Sequence, residues 1–139
     1  MESLSLDDLK TDPCPRICAA ELVELTKPNS YRPILSLDIR PRDEYLKGTY
    51  PASLSIPMSK CYTEDDLFYL PESPAVESLR RHSSNGGLTV VIGNKACSAT
   101  KFCKELVLAG FNRVCFLHNG IDVLRKTDLL TIPPVNLIS

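Results

Sequence analysis

Apolar residues along the chain gather into short β-like blocks separated by stretches of helical spacing. Ile34-Leu35-Ser36-Leu37-Asp38-Ile39, Leu88-Thr89-Val90-Val91-Ile92 and Val114-Cys115-Phe116-Leu117 are the strongest blocks. The second has no polar alternation beyond Thr89, the pattern of a strand buried on both faces. After it, Ala99, Phe102, Cys103, Leu106 and Val107 fall at i, i+3, i+4, i+7 and i+8, which predicts a helix with one core-facing stripe. Ser98 suits that helix's N-cap and Gly110 its C-terminal stop. The weaker signals fill in the rest. Ile17 opens a strand, and Ala19 to Thr26 reads as a helix stopped by Lys27-Pro28-Asn29-Ser30. Pro41 suits the first turn of a short helix through Glu44 and Tyr45 that ends at Gly48. Ser53-Leu54-Ser55-Ile56 reads as a strand cut off by Pro57. Pro74 opens a helix to about His82, and Asn85-Gly86-Gly87 is a turn. Residues 59–73 are the least regular stretch, with an acidic patch at Glu64-Asp65-Asp66. Alternating strands and helices with short connections predict an α/β domain of three layers, a parallel sheet of about five strands flanked by helices.

At 139 residues the chain fits one such domain. Residues 1–15 are polar and acidic and read as a linker or flexible arm, residues 16–126 as the domain, and 127–139 as an apolar tail. In the tail, Leu129-Leu130-Thr131-Ile132 is broken by Pro133-Pro134; packing back onto the domain is the first expectation, docking on a partner the second.

Charge and cysteine content narrow the function classes. A net charge of −1 argues against nucleic acid or an acidic membrane as main partner, and Arg80-Arg81-His82 reads as a solvated helix face. Met1-Glu2-Ser3 lacks the basic start and apolar run of a secretory signal, and no apolar stretch approaches the roughly 20 residues of a membrane span. Those signals predict a cytoplasmic protein without membrane insertion, monomeric as an isolated domain. Its six cysteines show no paired zinc spacing, Cys14-x-x-x-Cys18 lacks a second ligand pair, and two histidines, His82 and His118, cannot build a His-rich site. No metal and no cofactor are expected, since no dinucleotide fingerprint or phosphate-cradling glycine loop occurs either.

The stretch from Leu88 to Ser98 runs from strand to loop to helix start, where α/β proteins build anion-handling sites. Here the strand ends in Gly93, with Asn94, Lys95, Ala96, Cys97 and Ser98 following, and no arginine closes the loop.

Four segments in order resemble the rhodanese family. Leu37-Asp38-Ile39-Arg40-Pro41-Arg42-Asp43-Glu44-Tyr45-Leu46-Lys47-Gly48 resembles its Asp-x-Arg…Glu-Tyr/Phe…Gly-His stretch, with Thr49 in place of the histidine. Ala52-Ser53-Leu54-Ser55-Ile56-Pro57 resembles the following Gly-Ala-x-x-Ile-Pro. Leu108-Ala109-Gly110-Phe111, Val114 and Asn119-Gly120-Ile121 resemble the closing Ala-Gly-Phe…Gly-Gly-Ile. The ending through Leu129-Leu130-Thr131-Ile132-Pro133 is similar to the C-terminal rhodanese-like domains of TBC-domain-containing protein kinase-like proteins, which also carry Gly at the nucleophile position.

In active rhodaneses a low-pKa cysteine thiolate takes up a sulfane sulfur, held by loop amides and by an arginine five positions on. The resemblance places Gly93 at the cysteine and Ser98 at the arginine, so it implies a domain without catalytic residues. It implies a protein-interaction or scaffold role, with a protein partner or other domains of a parent chain concerned with Rab GTPases. Cys97 leaves an alternative open, a sulfurtransferase or phosphatase-class enzyme using an atypical thiol, as well as a reactive thiol without turnover. The loop itself reads either as a plain connection or as a weak anion site built from Asn94, Lys95 and Ser98. For Asp38 and Arg40 the resemblance implies a structural polar network, with Asp38 accepting backbone hydrogen bonds and Arg40 tying loops together.

Overall fold

A computed structural model describes residues 15–27, 33–94, 96–118 and 120–132, without the side chains of Ala96 and Cys97. The linker read over 1–15, apart from Pro15, and the tail beyond Ile132 lie outside the described residues. Five strands form one sheet in the order β1-β5-β4-β2-β3: β1 (Arg16–Ile17), β2 (Ile34–Asp38), β3 (Leu54–Ser55), β4 (Leu88–Ile92) and β5 (Val114–Leu117). Every pairing is parallel. Between them run α1 (Ala19–Leu25), α2 (Arg42–Lys47), a 3₁₀ turn (Met58–Cys61), α3 (Pro74–Ser84), α4 (Ala96–Leu108) and, after β5, α5 (Gly120–Lys126).

Side-chain alternation along the strands divides the core in two. Val91, Val114 and Phe116 face α3 and α4 and join Leu79, Phe102 and Leu106 there. Leu88, Val90, Ile92, Cys115 and Leu117 face the other way and meet Leu22 of α1 with Ile121 and Leu124 of α5. All five residues of β4 are buried, as its unbroken apolar run requires for a central parallel strand. Of the stripe predicted on α4, Ala99, Phe102, Cys103 and Leu106 are fully buried and Val107 half-buried. The three-layer α/β architecture follows directly from these two periods.

Local chemistry sets the ends. Ser73 accepts a hydrogen bond from the Val76 amide at 3.2 Å and starts α3. Pro41 stands at the N-cap of α2, one position before the place its ring was expected to take. The third strand is shorter than the apolar run suggests, because the Ser53 amide bonds back to the Tyr50 carbonyl in a turn. His82 departs from a solvated face: its Nε2 donates to the Leu88 carbonyl at 2.8 Å, whereas Arg80 and Arg81 are exposed. The irregular stretch is anchored by aromatics. Tyr62 and Phe68 form an antiparallel bridge, and Phe68 meets both Tyr62 and Phe102 edge to face at 5.6 and 5.5 Å. After α5, Leu129 and Leu130 pack on the second core, and Thr131 and Thr49 exchange backbone hydrogen bonds of 2.7 and 2.8 Å.

Phe102 fills the centre of the first core, so Phe102→Ala is expected to lower unfolding free energy by about 3–5 kcal/mol. Guanidinium melts followed by circular dichroism measure this, with a midpoint shift at unchanged slope.

Candidate functional site

The site region lies where the carboxyl ends of β2 and β4 meet α2, α4 and α5. Between Ile92 and Ala96 only Gly93, Asn94 and Lys95 connect β4 to α4. Ser98, expected as an N-cap, instead sits inside the first turn, because the helix already begins at Ala96. Cys97 is the second residue of that helix; its side chain, like the whole of Lys95, lies outside the described residues. Gly93 is buried, and its carbonyl accepts the Ile121 amide at 2.9 Å at the start of α5. Gly120 closes this joint. Its φ is +64°, and a Cβ there would lie 2.6 Å from the Gly93 carbonyl oxygen and 2.7 Å from that of Asn94. Backbone presses on backbone, so only glycine fits.

Beside this loop lies a buried polar hub. Asp38 takes two Arg40 nitrogens, Nε at 3.0 Å on Oδ1 and Nη2 at 2.7 Å on Oδ2. It also accepts the Arg40 amide at 3.0 Å and the Thr49 hydroxyl at 2.7 Å. Arg40 Nη2 donates onward to the Gly48 carbonyl at 2.6 Å. Asp38 and Arg40 are 0% and 3% exposed, so the pair survives burial because almost every polar atom is matched. Thr49 therefore contributes a hydroxyl donor to the hub. A second pair of bonds, Tyr45 Oη to the Ser53 carbonyl at 2.8 Å and Ser36 Oγ to Ser53 Oγ at 2.7 Å, fastens the turn before β3.

A cleft of about 340 Å³ opens next to the hub, floored by Ile39, Pro41, Met58 and Tyr62. Asn94, Ser98 and Lys101 stand on its polar side, and Arg40 also borders it. Lys101 Nζ lies 4.8 Å from the centroid of the Tyr62 ring, a cation–π contact. The Tyr62 hydroxyl is buried without a hydrogen-bond partner among the described residues, and burial, then Glu105, push its pKa up to about 12. Asn94 Nδ2 donates to Glu44 Oε2 at 3.4 Å across the rim. Burial pushes the Cys61 thiol up to about 11 and Cys115 upward as well, opposite to what a sulfur nucleophile needs. Among the described residues, no three His, Cys, Asp or Glu side chains cluster as metal ligands, and no helix is long and apolar enough to cross a membrane.

The family model of the rhodanese-like domain matches residues 19–127. This chain belongs to the rhodanese-like domain family. The rhodanese-like domain is 34% identical over 146 residues to a TBC domain-containing protein kinase-like protein of Mus musculus and 33% identical over 147 residues to one of Gallus gallus. Both alignments cover 95% of this chain but 16% of the relative, so the chain spans about a sixth of the length of the curated relatives it matches. Among solved structures, it resembles a protein of unknown function, possible tyrosine phosphatase, from Rhodopseudomonas palustris at TM-score 0.63 and 16% identity, covering 96% of this chain and 99% of that one. It resembles the thiosulfate sulfurtransferase of Pseudomonas aeruginosa at TM-score 0.61 and 20% identity, covering 91% of this chain and 21% of that one. At such identities these two likenesses show the fold alone.

Of the residues singled out from sequence, Asp38 and Arg40 meet directly, and Gly93, Asn94 and Ser98 border the cleft with Arg40. Sequence reasoning missed three contributors: Gly120, Tyr62 and Lys101. Only Gly120 carried a signal, as the second glycine position of the closing Gly-Gly-Ile. Asp38→Asn strands a buried guanidinium and should cost about 3–5 kcal/mol. Gly120→Ala, which forces a methyl group against the Gly93 carbonyl, should cost more than about 1 kcal/mol. Urea denaturation of each variant beside the wild type reads both.

Proposed function

We propose that this rhodanese-like domain is a non-catalytic interaction or scaffold module of a longer chain. The observation that carries the reading is the three-residue connection at Gly93. The position of a family nucleophile holds only hydrogen, and five residues later the chain is already helical at Ser98, where a closing guanidinium would stand. A covalent sulfur or phosphoryl intermediate has no atom to form on at Gly93, and no loop arginine to hold its charge. The buried hub and the joint at Gly120 support the same reading, since they use the neighbouring polar groups for packing. The relatives' name joins this domain to TBC and kinase-like segments, so we place it as an accessory tail in a cytoplasmic regulator of Rab GTPases. Residues 93–98 and the cleft beside them then serve recognition, with other domains of the parent chain or a separate protein as partner.

Two assays test the absence of chemistry: cyanide-dependent thiocyanate formation from thiosulfate, and hydrolysis of para-nitrophenyl phosphate. Neither is expected to exceed the rate of a Cys97→Ser control. Turnover by the wild type that disappears in Cys97→Ser would overturn the non-catalytic reading.

A further inference from the structure

We propose that the cleft beside Gly93 docks an extended protein segment in which an acidic side chain stands next to an apolar one. This rests on the non-catalytic reading and names the partner's chemistry. The cleft volume of about 340 Å³ is that of a small binding pocket, room for a few side chains. Its floor of Ile39, Pro41, Met58 and Tyr62 offers apolar surface that an inorganic anion leaves uncovered.

Charge decides the remainder. Among the described residues no carboxylate lines the cleft, whereas Arg40 and Lys101 both do. Arg40 spends its Nε and Nη2 on Asp38 and Gly48; its Nη1 carries no hydrogen bond among the described residues. Lys101 is exposed and belongs to none of the ion pairs among the described residues. Its ammonium is held over the Tyr62 ring, so less side-chain freedom is lost when a carboxylate arrives. The nearby acids are placed elsewhere. Asp38 is neutralised behind Arg40, Glu44 is engaged by Asn94, and Glu105 and Asp66 act on Tyr62 without lining the cleft. A segment with Asp or Glu beside Leu, Ile or Phe matches the cation and the floor together.

A phage-displayed random peptide library panned against the chain tests this. Enriched sequences are expected to carry Asp or Glu within two positions of a large apolar residue. The synthesised consensus peptide, followed by fluorescence anisotropy, should bind roughly tenfold more weakly to Lys101→Glu, about 1.4 kcal/mol. Met58→Ser should also weaken it, with a thermal melt confirming the fold. Lys104→Glu, exposed on the same helix but outside the cleft, should leave it unchanged. No enrichment, a basic consensus, indifference to Lys101→Glu, or displacement by millimolar inorganic phosphate alone would each overturn the proposal. Any of these results in a chain that shows no turnover removes the docking site and leaves the non-catalytic reading intact.

Discussion

A carboxylate buried at the end of a central strand sets the terms for everything around it. Asp38 has no access to water, so its charge must be met from within. Arg40 meets it two residues later, which turns the chain sharply out of β2. The guanidinium then reaches Gly48, and Thr49 reaches back, so α2 is clasped at both ends by one ion pair. The position of α2 in turn sets Glu44 against Asn94, which borders the cleft. Remove the carboxylate and these relations lose their common reference.

The same end of the sheet shows to what use this chain puts the joint at Gly93. Parallel strands direct their last residues toward one edge, where loops and helix starts converge. Here the loop is short, and its Gly93 carbonyl is committed to starting α5. These backbone groups hold the layers together, and the cleft lies beside them.

Much of this fold was legible in the sequence because burial imposes period. The unbroken run of β4 and the stripe on α4 stated both the strand order's centre and the helix that covers it. Where periodicity was short, reading failed for identifiable reasons. The helix Gly120–Lys126 is only 7 residues long and opens on a glycine, a residue that signals a stop. The bridge between Tyr62 and Phe68 depends on aromatic packing against Phe102, which no local pattern encodes. Of the site, the glycine at position 93 was visible in one letter, but the contact of Lys101 needed Tyr62 brought beneath it in space. Thr49 is instructive too: in the sequence it marks the loss of a histidine, whereas in the structure its hydroxyl completes the Asp38 shell.

The reciprocal bonds between Thr49 and Thr131 join backbone 82 positions apart in sequence. They make the segment after α5 a mechanical tether. Tension applied beyond Ile132 would not begin by peeling α5 from the sheet; it would first load the two backbone hydrogen bonds between Thr131 and Thr49 and the leucines behind them. From Thr49 the strain passes through its hydroxyl to Asp38 at the end of β2. A pull on one end of the domain is therefore felt at the rim of the cleft before any layer comes apart.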